Sequence, residues 1–143
     1  MAKVPASERT VLIVDDDESV LTLLEILVHR DGFHLLTAAN GERALELFKA
    51  GPHAVLLDLG LPGTTDGFEV LEVIRKFPAA PAVIIVTGHA KTPELEALNL
   101  VPCVKGILSK PFRQEELLKA LHAALGTEAC RRKPAAAPDA TAN

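Results

Sequence analysis

VLIVDDDESV (residues 11–20) sets four apolar residues directly against four acidic ones, Asp15, Asp16, Asp17 and Glu18. A short uninterrupted aliphatic run leaves no polar face for water, which marks a strand buried on both sides. One acid after such a strand can cap a helix, and two can make a solvated turn. Four in a row call for a cation that offsets their repulsion.

The same grammar recurs along the chain. HAVLLD (53–58) is a second aliphatic run that ends on an acid, and FHLLTA (33–38), PAVIIVT (81–87) and VKGILS (104–109) read as further strands. Helical segments lie between them. Residues 18–30 carry a broad apolar face and stop before Gly32. Asn40 caps GERALELFKA, with Gly51 as its stop. FEVLEVIRKF follows a loop rich in helix breakers, LGLPGTTDG. Thr92-Pro93 makes a cap and first-turn proline for a short fourth helix. RQEELLKALHAALG closes the pattern with Leu117, Leu118, Leu121 and Leu125 in one stripe and Gly126 as stop. Strands of this composition joined by helical, right-handed crossovers predict an α/β fold with a doubly wound parallel sheet.

Composition bounds the function. A chain of 143 residues, 48% hydrophobic and 24% charged, suits one globular domain. With 3% aromatics and neither Trp nor Tyr, its core must be aliphatic. A net charge of −4 provides no cation excess for displacing phosphate counterions, so nucleic acid is not expected as a direct ligand. The first ten residues, MAKVPASERT, lack the apolar core of a signal peptide, and no run approaches a membrane span. Cys103 and Cys130 form no metal-spaced or redox motif. A cytoplasmic protein is expected.

In an open α/β sheet, ligands bind outside the carboxyl ends of the strands. Asp15 and Asp16 follow the first strand there, Asp58 closes the third, Thr87 closes the fourth, and Lys110 follows the fifth. If the first and third strands are neighbours, their backbones lie ~4.8 Å apart and their carboxylates share one pocket. Two carboxylates ~4 Å apart repel by about 4 kcal/mol at an effective dielectric near 20. Oxygen ligands with room for water and phosphate suit Mg²⁺ (or Mn²⁺). Asp58 beside that ion has the chemistry of a phosphoryl acceptor, with Lys110 as fixed positive charge and Thr87 as hydrogen-bond donor.

VLIVDDDE, VLLDLGLPG, IIVTG and LSKPF occur in the order and at about the intervals of the receiver domain of bacterial response regulators, which the chain resembles over roughly residues 9–126. The resemblance implies a flavodoxin-like (βα)5 fold with a five-stranded parallel sheet in the order 2-1-3-4-5. It also implies Mg²⁺-dependent phosphoryl transfer to Asp58 from the phosphohistidine of a sensor histidine kinase or histidine phosphotransfer protein. By motif, Asp16 would ligate the metal directly and Asp15 largely through water. Asp58 would be both acceptor and ligand, and Gly60 would offer its backbone carbonyl. Asp17 has no such role and reads as loop or helix cap. On this reading residues 1–8 are a tail, 9–126 the receiver domain, and 127–143 a flexible Ala/Pro-rich tail or severed linker.

Two departures stand out. PGTTDG carries one residue more than the family's usual Pro-Gly-x-Asp-Gly, and Ile107 occupies a position, three before the lysine, where the family commonly has Tyr or Phe. That aromatic moves with the threonine to report phosphorylation on the surface of the fourth helix and fifth strand, a polar swing isoleucine does not reproduce. His89, two residues after Thr87, is a candidate for the pocket mouth, while His29, His34, His53 and His122 are given no function. Two other functions fit parts of the pattern. DDDESVL is also similar to the haloacid-dehalogenase-type phosphatase motif, with Asp15 as nucleophile and Asp17 as acid/base, which leaves Asp58 without a role. A receiver-like interaction module that works without phosphorylation is the other.

Overall fold

The computed structural model describes residues 3–88 and 92–130. Five strands, β1 (Thr10–Val14), β2 (His34–Ala38), β3 (Ala54–Leu57), β4 (Ala82–Thr87) and β5 (Val104–Ser109), alternate with α1 (Glu18–Arg30), α2 (Gly41–Phe48), α3 (Gly67–Arg75), α4 (Pro93–Leu98) and α5 (Gln114–Leu125). All pair in parallel, in the order β2-β1-β3-β4-β5. This is the flavodoxin-like doubly wound sheet expected from the sequence.

The uninterrupted apolar runs divide by the strand period of two. Leu12, Val14, Val55, Leu57, Val83 and Ile85 face α2, α3 and α4, where Ala44, Val70, Leu71, Ile74 and Leu95 complete one core. Val11, Ile13, Leu56, Ile84 and Val86 face α1 and α5, meeting Leu24, Leu27, Val28, Leu117 and Leu121 in the other. Both faces are therefore filled by the same strands, which is why β1, β3 and β4 contain almost no polar residue before their last position.

Local chemistry sets the element ends. Asp17 caps α1, accepting from the Ser19 and Val20 N–H groups at 2.9 and 3.3 Å. Asn40 caps α2 through Arg43 N–H, and Thr92 caps α4 through Leu95 N–H. Asp66 and Glu69 form a reciprocal capping box on α3. Gly126 ends α5 at φ 63°, in the left-handed region where glycine carries no steric cost. α2 stops at Phe48, short of the expected Ala50, because residues 49–51 close with tighter bonds three residues back.

The fold extends past both expected boundaries. Val4–Pro5 pairs in parallel with Thr127–Glu128, and Ala6, at the start of a 3-10 turn, is fully buried. Cys130 N–H donates to the Asp31 carbonyl at 2.8 Å. Residues 127–130, read as the start of a flexible tail, thus belong to the folded body. Small and polar residues carry no periodicity, so nothing in their order announces a partner elsewhere. No helix among the described residues is long and apolar enough to cross a membrane.

Candidate functional site

Strand adjacency builds the site. β1 lies beside β3 with Val14 opposite Leu57, so the residues that follow both strands emerge side by side. Backbone bonds carry this pairing one step further: Asp58 N–H donates to the Val14 carbonyl at 3.0 Å, and Asp15 N–H to the Ala38 carbonyl at 3.1 Å. On the far side, Lys110 N–H donates to the Thr87 carbonyl at 2.9 Å, which holds the end of β5 against β4. The Lys110–Pro111 peptide bond is cis.

Asp15, Asp16 and Asp58 converge: one carboxylate oxygen from each lies within 4.8 Å of the others. Asp15 is 1% exposed and Asp58 7%, while Asp16 faces solvent. Lys110 Nζ reaches Asp15 Oδ2 at 2.7 Å and Asp58 Oδ2 at 3.3 Å. The remaining oxygens are also oriented: Asp17 N–H donates to Asp15 Oδ1 at 2.9 Å and Gly60 N–H to Asp58 Oδ1 at 3.1 Å. Thr87 is buried and shares with Leu59 and Gly60 the wall of a cavity of ≈ 270 Å³. Of the six residues expected at the site, Asp15, Asp16 and Asp58 are brought together by their side chains, Lys110 reaches Asp15 and Asp58, and Gly60 meets Asp58 through its backbone N–H, while Thr87 ends β4 beside Lys110 and lines the neighbouring cavity. His89 lies outside the described residues.

Burial pushes the Asp15 carboxyl up from its ordinary value, and the charge of Asp58 adds to that; the Lys110 hydrogen bond and the Asp17 N–H oppose it without cancelling it. Lys110 shows the converse. Burial lowers its affinity for a proton, but the hydrogen bonds and charges of Asp15 and Asp58 together outweigh burial, and its pKa rises. The lysine is firmly charged; Asp15 and Asp58 face it, and Asp16 lies beside them. Oxygen-only donors, closely spaced, partly open to water and, among the described residues, in excess of the one cation beside them, are the donor set a hard divalent ion takes.

The response regulator receiver domain model matches residues 11–122. The chain belongs to that family. The receiver domain is 37% identical over 115 residues to an NtrX-like response regulator of Rickettsia felis, covering 78% of the present chain and 24% of that protein. It is 33% identical over 132 residues to the alkaline phosphatase synthesis transcriptional regulatory protein PhoP of Bacillus subtilis, covering 91% and 52%. The chain thus spans about a quarter to a half of these relatives. Among solved structures, a CheY-like receiver domain of Methanospirillum hungatei superposes with a TM-score of 0.75 at 27% identity, over 82% of this chain and 93% of that one. Chemotaxis protein CheY4 of Vibrio cholerae gives 0.72 at 29%, over 82% and 98%. Receiver domains are the phosphoacceptor signalling domains of two-component systems, and this one carries their fold and their acidic cluster.

Sequence reasoning missed three features around this frame. Gly67 is packed against the backbone that follows β3, so that a Cβ there would overlap the Asp58 carbonyl oxygen and Leu59 Cα. Glu42, on α2, accepts from the hydroxyl of Thr64 in the lengthened loop at 2.7 Å. His122 joins Asp31 and Thr127 at the opposite end of the sheet. The extra loop residue was a visible signal for the second of these. The others depend on contacts between segments far apart in the chain.

Proposed function

We propose that Asp58 accepts a phosphoryl group from the phosphohistidine of a sensor histidine kinase or a histidine phosphotransfer protein, in a pocket completed by Mg²⁺ (or Mn²⁺). The observation that carries this reading is the convergence of Asp15, Asp16 and Asp58, two of them paired with Lys110. Asp15, Asp16, the Asp58 carboxylate and the Gly60 carbonyl would hold the ion, which when bound neutralises charge on the acids and on the incoming phosphoryl oxygens. Gly60 N–H and Lys110 orient the Asp58 carboxylate, leaving an oxygen to attack phosphorus. A P–O bond forms as the P–N bond to the donor imidazole breaks, and that nitrogen takes up a proton. Lys110, released from Asp58 Oδ2, then pairs with a phosphoryl oxygen, and the Thr87 hydroxyl donates to another.

Hydrolysis by water returns phosphate and free Asp58, so the domain turns itself over slowly and serves as a signalling switch rather than as an enzyme acting on other substrates. The output is a shift between two states of the surface around α4 and β5, drawn by Thr87. Ile107 lies in β5 opposite Ile85 and packs into the same core as Leu95 of α4, so the readout passes through apolar packing. The domain works in the cytoplasm and does not itself bind nucleic acid. No observation favours the phosphatase alternative, since Asp17, its required acid/base, is committed to capping α1.

Incubation with acetyl phosphate and Mg²⁺ followed by intact mass measurement tests the proposal. The wild type gains one phosphate and Asp58→Asn gains none; an unmodified wild type, or a labelled Asp58→Asn, overturns it. The switching step is tested separately, by amide chemical shifts of α4 and β5 with and without the donor, and unchanged shifts there would sink it.

A further inference from the structure

The β3–α3 loop begins at the acceptor and is held at three points. At its start, Gly60 N–H binds Asp58 Oδ1. At its root, Gly67 N–H donates to the Leu59 carbonyl at 3.2 Å, and the absence of a Cβ on Gly67 lets the two backbones touch. The third point is its far side, where the extra residue falls. There Thr64 Oγ1 donates to Glu42 Oε2 at 2.7 Å, a Cβ on Gly63 (φ 92°) would lie in contact with the same carboxylate, and the Thr65 carbonyl lies against Gly41 so closely that a Cβ would overlap it. Glu42 and Gly41 are the first two residues of α2.

Glu42 is exposed, yet its carboxyl is held below the usual range, first by the Thr64 hydroxyl and then by its own N–H and by Thr65. The loop gathers a carboxylate's hydrogen bonds onto itself at the one place where it is longer than its family's pattern. With Gly60, Gly63 and no regular structure between Leu59 and Asp66, it has wide backbone freedom unless something holds its tip.

We propose that Glu42 and Thr64 form a clasp through which α2 positions the β3–α3 loop, and with it the Gly60 peptide, for cation binding beside Asp58. Glu42 and Thr64 are positioning residues, distant from the reacting atoms in their contacts and acting through the loop. The proposal rests on the reading of Asp58 as phosphoacceptor and Gly60 as metal-binding carbonyl. It gives the lengthened loop a purpose: its added reach takes its tip to α2, where the clasp removes the disorder that the added length brings.

Two measurements on Thr64→Val, Thr64→Ser and Glu42→Gln test it. Amide hydrogen exchange of Gly60 and Gly67 in the metal-free protein reads loop order directly. Titration with Mg²⁺ alone, followed by the Gly60 and Asp58 amide shifts, reads affinity. Thr64→Val and Glu42→Gln are expected to speed exchange and weaken Mg²⁺ binding about threefold or more, the factor that a net hydrogen bond commands. Thr64→Ser keeps the hydroxyl and restores both. Wild-type exchange and affinity in Thr64→Val, or a Thr64→Ser as impaired as Thr64→Val, overturns the clasp. If the wild type itself binds no Mg²⁺ and takes up no phosphate, the phosphoacceptor reading falls; wild-type-like exchange in the metal-free variants then overturns the clasp, and faster exchange supports its hold on the loop.

Discussion

At the carboxyl ends of β1 and β3, Asp15, Asp16 and Asp58 converge and Lys110 bridges Asp15 and Asp58; at the amino end of β2, Asp31 faces His122, whose other ring nitrogen reaches Thr127. Both clusters join residues far apart in sequence, and both centre on a buried acid, Asp15 at 1% and Asp31 at 2% exposure. They differ in how their charge closes. His122 Nε2 lies 3.0 Å from Asp31 Oδ2 and Nδ1 lies 2.8 Å from Thr127 Oγ1, so both ring nitrogens are engaged within the protein. The ring also packs 5.0 Å from that of Phe33. That cluster ties the end of α5 and the segment after it to the α1–β2 turn. The acidic cluster keeps more negative charge than its lysine offsets. An acid–histidine pair held between two segments secures a fold, whereas clustered acids left with excess charge call for something from outside.

Three variants probe this contrast, in decreasing order of expected effect. Lys110→Ala removes the fixed cation and should slow phosphorylation by acetyl phosphate about 10²-fold or more, the scale on which loss of one preorganised donor is felt; His122→Ala should label at the wild-type rate. Time courses of intact mass would show it, and equal rates for Lys110→Ala and wild type would place the lysine outside the chemistry.

His122→Ala acts on stability instead. Leaving the buried Asp31 carboxylate without its imidazole should cost about 1–3 kcal/mol, read as a lower urea midpoint. A midpoint unchanged from wild type would mean that the second cluster secures nothing.

The smallest effect concerns Asp15. Its carboxyl titrates above its ordinary value of 3.8, so the folded state holds that proton more tightly than the unfolded chain does. Ionisation therefore costs stability, fully so above the folded pKa, and the cost is recovered as pH falls through it. In EDTA, Asp15→Asn should melt above wild type near neutral pH, with the gap narrowing on acidification. Mg²⁺ should raise the Tm of wild type and leave that of the variant nearly unmoved. A gap that widens in acid would reverse the assigned sign.

Much of this was legible beforehand, for reasons that can be located. Val11–Val14 and Ala54–Leu57 announce buried strands because an aliphatic run of that length has nowhere else to go, and α1 runs over residues 18–30 as its cap and apolar face require. The capping roles of Asp17, Asn40 and Thr92 follow from short side chains that reach their own backbone. Less could be read wherever a residue's meaning lies in a distant partner. His122 looks like any helical histidine until the α1–β2 turn is set beside it, and residues 127–130 look like linker until Val4 and Asp31 supply their hydrogen bonds.

The order of residues alone determined the elements, the parallel sheet and the kinds of group that meet at its carboxyl edge, because strand burial, helix periodicity and capping are governed by neighbours a few positions away. Only the tertiary structure decided which carboxylate oxygens Lys110 engages, that α2 grips the lengthened loop, and that the second acid–histidine cluster exists. Those outcomes hang on distances between segments up to 95 residues apart, and such distances are fixed by packing the whole chain at once.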